Sequence, residues 1–323
     1  MDNRYKVDKT KCEICGRTVK KILLKNKEYN NNDFFKTQDG NYICKQCERE
    51  YRVIDNYSER GYGYKYNTNP KTTAMDTIST PTFGVEIEVA GNLKNIGKIE
   101  KLTYPTSECS IGYDTSVEGA QFELSYAPGT YYWYLHESKL QAVCNLIKKD
   151  KWAKDSETIG THIHVGNIDA KYIIKCIQIE SIINSWFWKI LKAVGERDFN
   201  KYCENSFTGD HHDAISYSHR WRTLEFRFFK GTYDFKTIMD RMRFLRQLIE
   251  NTTRDGVNWF NFKKEIKDWT INKIEQSELL NTEEKTMAKS FFTEKDAHKN
   301  KIEEELKNTI MNNDEQYEEE SDW

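Results

Sequence analysis

Four short segments of this chain alternate apolar and polar residues, and each carries reactive groups on its polar side. They are Phe83-Gly84-Val85-Glu86-Ile87-Glu88-Val89, Gln121-Phe122-Glu123-Leu124-Ser125, Thr161-His162-Ile163-His164-Val165 and Arg222-Thr223-Leu224-Glu225-Phe226-Arg227-Phe228. Successive side chains of a β-strand leave on opposite faces. Phe83, Val85, Ile87 and Val89 therefore oppose Glu86 and Glu88, and Phe122 and Leu124 oppose Glu123. Likewise Ile163 and Val165 oppose His162 and His164, and Leu224, Phe226 and Phe228 oppose Glu225 and Arg227. One such segment is an ordinary half-exposed strand. Four of them predict one sheet, packed on helices by its apolar face. Its open face would carry carboxylates, two imidazoles and a guanidinium, which is the chemistry of a divalent-cation and phosphate site.

The pairing of like charges sharpens this. Glu86 and Glu88 stand two apart on one strand face, about 6–7 Å at the backbone. They repel unless a cation lies beside them. A solvated edge strand is the plain alternative, and Glu123 and Glu225 repeat the pattern against it. Asp114, Ser116, Glu118 and Glu123 form a second acidic set around Gly112 and Gly119. Glu118 reads equally as a ligand or as a solvated turn residue. Two histidines on one strand face predict one imidazole on metal and the other near phosphate or substrate. Arg227 is a fixed fork suited to phosphate oxygens, or else the ion-pair partner of Glu225 or Glu123. His211 and His212, in a Gly-Asp-His-His-Asp loop, read more simply as solvated than as a metal site.

The cysteines separate a second unit. Cys12, Cys15, Cys44 and Cys47 form CxxC…CxxC, while Cys109, Cys144, Cys176 and Cys203 are scattered. The opening Met1-Asp2-Asn3-Arg4-Tyr5-Lys6 has no apolar run of the signal-peptide kind, which predicts a cytoplasmic protein. There, paired CxxC motifs read as a four-cysteine zinc site rather than a disulfide framework, and the scattered thiols as buried. Residues 1–55 are thus expected to be a zinc module, with a hairpin or short helix between its knuckles and folding driven by Zn2+. Docking or substrate presentation suits it as well as nucleic-acid binding, for which Lys20, Lys21, Lys25 and Lys27 leave room. The net charge of −2 argues against bulk nucleic-acid binding. Mean hydropathy is −0.84, and no apolar run approaches the ~18 residues of a membrane span.

Residues 56–80 read as a linker rich in Asn, Ser, Thr, Gly and Tyr, followed by a main domain over 81–270. Apolar spacing predicts helices over about 131–150, 169–194 and 234–251. The class is α+β, a largely antiparallel sheet with helices on one face. Residues 271–323 turn charged and helix-prone and end in an acidic run, 314–320, that reads as disordered.

In order, Phe83-Gly-Val-Glu86-Ile-Glu88, Asp114-Thr-Ser116…Gly119-Ala-Gln-Phe-Glu123-Leu-Ser125, Gly160-Thr-His162-Ile-His164-Val and Arg222-Thr-Leu-Glu225-Phe-Arg227-Phe resemble the amidoligase family, relatives of glutamine synthetase and glutamate–cysteine ligase. Arg197, before Tyr202-Cys203, fits the same pattern, and Gly231-Thr232 follow the last motif. The likeness covers about 82–250. It departs from the family at Gly160 and Tyr126-Ala127, where cysteine and proline are usual. The resemblance implies a curved, glutamine synthetase-like antiparallel sheet holding ATP and two Mg2+ or Mn2+ ions. One ion would use Glu88, Glu123 and Glu118; the other Glu86, Glu225 and His162. It further implies Glu86, Glu88, Glu123, His164, Glu225 and Arg227 as catalytic residues, with His164, Arg197, Arg222 and Arg227 on the nucleotide. The activity implied is ATP-dependent joining of a carboxylate to an amine through an acyl phosphate, with a peptide or protein as one candidate substrate. Two alternatives stand beside it: a phosphotransferase on the same sheet, as in guanidino kinases, and a non-catalytic adaptor recruited through the zinc module.

Overall fold

The computed structural model describes residues 70–292 apart from 92–95, 104–107, 113–119, 151–152, 155–158, 185, 202, 210–211, 219–221 and 255, together with the backbone of five short strands between residues 5 and 44. Those strands are β1 (Tyr5–Lys11), β2 (Thr18–Leu24), β3 (Lys27–Tyr29), β4 (Phe34–Lys36) and β5 (Tyr42–Cys44). β1, β2 and β3 form one antiparallel sheet, and β4 pairs with β5. β2 and β3, which lie between the two cysteine pairs in sequence, are antiparallel neighbours. Cys12, Cys15 and Cys47 lie outside the described residues, as do the side chain of Cys44 and the acidic tail.

The main domain is built on β6 (Thr82–Gly91), β7 (Cys109–Gly112), β8 (Ala120–Tyr126), β9 (Gly129–Thr130), β10 (Ala153–Lys154), β11 (Thr161–Gly166), β12 (Ile215–Ser218) and β13 (Thr223–Phe226). Their order is β12-β13-β11-β6-β8-β7, with β9 and β10 also paired to β6, and every ladder is antiparallel. The four alternating segments are therefore the four central strands. Register keeps their faces in phase: His162 stands opposite Glu86, Glu88 opposite Glu123, and His164 opposite Glu225. A slip of one residue in any strand would send its apolar set to the polar side.

The apolar set is closed. Val85, Ile87, Val89, Leu124, Ile163, Val165, Leu224 and Phe226 have no accessible surface and share one core with the helices. Fully burying each such side chain contributes about 1.5–3 kcal/mol. This is a mixed α and β architecture, an antiparallel sheet with helices packed on it, and α+β in class.

Two of the three expected helices differ from expectation. The helix expected over 131–150 is two, α2 (Tyr131–His136) and α3 (Leu140–Lys148), after α1 (Ile96–Thr103). The break follows from Ser138, whose Oγ donates to the Tyr134 carbonyl, and from the Lys139 amide, which donates to Glu108 Oε2 at 2.9 Å. The helix expected over 169–194 is also two, α4 (Ala170–Ile183) and α5 (Phe187–Gly195). Asn184 between them is extended, and its side chain donates to Glu180 and accepts from the Trp186 amide. α6 (Phe235–Glu250) matches the third expectation, N-capped by Asp234.

The domain is also longer than 81–270. Residues 70–80 are tied to the sheet domain: the Lys71 amide donates to the Pro128 carbonyl, Thr130 Oγ1 donates to Asp76 Oδ2, and Asn167 Nδ2 donates to the carbonyls of Ile78 and Thr80. At the other end α7 (Lys264–Gln276) and α8 (Thr282–Ser290) bury Ile274 and Ala288 in the common core, and Phe292 just after α8 joins them.

Candidate functional site

The polar face carries Glu86 and Glu88 on β6, Glu123 and Ser125 on β8, His162 and His164 on β11, and Thr223 and Glu225 on β13, with Arg227 just beyond. It is not open, as the alternation suggested. Glu86, Glu88, Glu123, His162 and Glu225 are all buried, and His162 is only 2% exposed. Close strand spacing stacks these side chains against one another, so each covers its neighbours.

The distances describe two groups of ligand atoms. Glu86, His162 and Glu225 form one, and Glu88, Glu123 and His162 the other, each with three donor atoms within 4.8 Å of one another. His162 Nδ1 lies 3.5 Å from Glu86 Oε2 and 3.9 Å from Glu225 Oε1. His162 Nε2 lies 3.4 Å from Glu88 Oε1. His164 Nε2 sits 3.3 Å from Glu86 Oε1 and 4.0 Å from Glu225 Oε1. Arg227 Nε meets Glu225 Oε1 at 2.6 Å, close enough for an ion pair but outside hydrogen-bond geometry.

Four buried carboxylates on one face are costly unless paired or metal-bound. Burial raises the Glu123 carboxyl above its usual range, despite the hydrogen bond from Ser125 Oγ at 3.0 Å and the nearby His162. Burial acts on Glu86 in the same direction, but the imidazoles of His164 and His162 outweigh it and hold Glu86 below the usual range. On His164 burial works downward, and the charges of Glu86 and Glu225 overcome it, raising the pKa to about 9. For Arg227 burial is again outweighed, here by Glu225, Glu86, Glu88 and Glu123, so the guanidinium stays charged.

The donor set suits hard divalent cations. Carboxylate oxygens are the ligands of Mg2+ and Mn2+, and an imidazole nitrogen favours Mn2+ further. His162 Nδ1 is a buried atom with no hydrogen-bond partner, whereas Glu225 Oε1, also without one, has the Arg227 guanidinium beside it.

Several residues that hold this face were not singled out from sequence. Thr223 Oγ1 lies 3.1 Å from His164 Nδ1 and fixes the ring so that Nε2 faces the carboxylates. Ser125 orients Glu123, and Ser216 stands opposite Glu225 on β12. Ser125 is two residues from Glu123, and Thr223 two from Glu225, so the same period of two places them on the face. The Gly160 amide donates to Glu88 Oε2 at 2.5 Å. A methyl group on Gly160 would lie 2.6 Å from His162 Nε2 and 2.7 Å from Arg197 Nη1, so only glycine fits there.

Arg197 is buried beside Gly160, and its Nη1 donates to the Arg227 carbonyl at 3.0 Å, bracing the segment that carries Arg227. Arg222 is not brought to the face. It is exposed in a left-handed turn (φ 56°), its amide donating to the Ser218 carbonyl, because the chain reverses between β12 and β13. Glu118, Asp114, Ser116 and His211 lie outside the described residues. The His212 loop is organised by Asp213, which accepts from Ser206, Thr208 and the Gly209 amide. No helix among the described residues is long and apolar enough to cross a membrane.

No protein-family model matches this chain, and no curated protein matches it in sequence.

Proposed function

We propose that this protein is an ATP-dependent carboxylate–amine ligase of the amidoligase type, with a glutamine synthetase-like sheet and two divalent cations on its polar face. The observation that carries the reading is the convergence of Glu86, Glu88, Glu123, His162 and Glu225 into two adjacent three-donor groups, with Arg227 beside them. Four carboxylates are opposed on that face by Arg227 and His164. Two divalent ions would reverse the local sign and suit a polyphosphate rather than a neutral ligand.

Mg2+ or Mn2+, when bound, supplies charge neutralisation for the triphosphate of ATP. Glu88 and Glu123 would hold one ion, and Glu86 and Glu225 the other. Arg227 would stabilise charge on the transferred phosphoryl group. A substrate carboxylate attacks the γ-phosphorus and releases ADP. An amine then attacks the acyl phosphate, loses a proton and expels phosphate, leaving an amide. Arg197 acts through Arg227, and Arg222 has no part in the reaction. The Cys12, Cys15, Cys44 and Cys47 module would bind Zn2+ and present a peptide or protein substrate in the cytoplasm.

Phosphorus-31 NMR on the full-length protein with pooled amines and carboxylates tests the reaction. The expected result is ADP and phosphate whose release requires an amine. AMP and pyrophosphate would contradict the mechanism, and amine-independent transfer would mark a phosphotransferase.

A further inference from the structure

The two ligand groups have one member in common. His162 belongs to both, with Nδ1 turned to Glu86 and Glu225 and Nε2 turned to Glu88. The ring is 2% exposed, and its Nδ1 has no hydrogen-bond partner. Gly160 packs against one edge of it so closely that a single added methyl would collide with Nε2. The ring is therefore held between the groups.

A neutral imidazole has a lone pair on one nitrogen and an N–H on the other. It can give a lone pair to only one group at a time. Toward the other group it points an N–H, which favours a bare carboxylate and opposes a cation. We infer that the two cation positions regulate each other through His162: the ion that takes the ring nitrogen fixes the tautomer and leaves the other group weaker by one ligand. The inference rests on the cation reading of this site. It makes the two affinities unequal even though each group has two carboxylates.

The Glu88–Glu123 group gives the decisive observation. His164 faces Glu86 and Glu225, so among the described residues His162 is the imidazole available to an ion held by Glu88 and Glu123. Mn2+ binding to the full-length protein, counted by electron paramagnetic resonance, should show two ions of unequal affinity. Glu225→Gln disables one group, and Glu86→Gln disables the same group as an independent variant. In either, the remaining ion should bind about tenfold or more tightly than the weaker wild-type ion. It should also show electron spin-echo modulation from a histidine nitrogen, which disappears on adding His162→Ala. In the mirror variant Glu123→Gln, the ion at Glu86 and Glu225 should lose part of its nitrogen modulation on adding His162→Ala. No nitrogen modulation in folded Glu225→Gln and Glu86→Gln would overturn the shared ring while leaving cation binding intact. Two wild-type ions of equal affinity would also overturn it. Failure of the folded wild type to bind Mn2+ at all would overturn the cation reading itself.

Discussion

Glu180 and Glu86 are both buried carboxylates, and their surroundings differ completely. Glu180, on α4, accepts from Asn184 Nδ2 at 2.8 Å, Trp259 Nε1 at 2.8 Å and the Val257 amide at 3.2 Å. These bonds clamp α4 to the segment leading into the Trp259 turn, and no other carboxylate among the described residues acts on Glu180. Glu86 faces two imidazoles at 3.3–3.5 Å and shares its face with three more carboxylates. The first centre is complete without a ligand. The second gathers four like charges around His162, with Arg227 and His164 as the positive groups beside them, and leaves His162 Nδ1 buried without a hydrogen-bond partner. Burial alone therefore does not mark a functional site; unmet demand does.

The comparison is broken most forcefully at Glu180. Glu180→Ala strands the Trp259 and Val257 donors and opens a cavity, and it should cost about 2–4 kcal/mol in chemical denaturation. Cation binding by the folded fraction should be unchanged. An equal loss from Glu86→Gln would show that the polar face is a structural centre like the first.

Gly160→Ala sharpens the contrast from the other side. Its methyl would collide with the His162 ring and the Arg197 guanidinium, costing about 1–3 kcal/mol by overpacking. Because the collision falls on a ligand, Mn2+ affinity should fall as well. Calorimetric titration that found affinity unchanged would free His162 of its assigned role.

The proton balance gives a third effect. The folded-state pKa of His164 is raised from 6.5 to about 9, so its contribution is complete below pH 6.5 and is lost as pH climbs through 9. Stability of the cation-free protein should fall over that interval by on the order of 3 kcal/mol. Thermal melts of His164→Gln should be flatter across the same range. A wild-type profile already flat there would mean that Glu86 and Glu225 do not act on the ring as drawn. The smallest effect belongs to Arg222→Ala, expected within about 0.5 kcal/mol in stability and without change in nucleotide affinity.

Much of this could be read in the sequence because a strand has a period of two. Phe83, Val85 and Ile87 fixed which way Glu86 and Glu88 must point, and the same logic placed His162, His164, Glu123 and Glu225. Period gives the face but not its depth: nothing local distinguishes a solvated polar face from one whose side chains bury each other. The helix breaks near Ser138 and Asn184 involve partners distant in sequence, Glu108 for the Lys139 amide and Trp259 for the Glu180 that Asn184 also meets. The polar run 70–80 looked like a linker because Asp76 and Asn167 make their contacts only in the folded domain. Arg222 is assigned to the nucleotide by the resemblance alone, since period two puts it on the side of Leu224 and Phe226, and the chain instead leaves it exposed in a left-handed turn.

The central claim is that the Glu86 and Glu88 face holds a metal–nucleotide complex. Calorimetry of ATP binding in the presence and absence of Mg2+, on the wild type and on Glu86→Gln/Glu88→Gln, tests it without knowledge of the substrate. Circular dichroism would confirm that both are folded. The account predicts Mg2+-dependent binding in the wild type and at least about a hundredfold weaker binding in the double variant. ATP affinity that is absent from the folded wild type, or unchanged by the two substitutions, would contradict it.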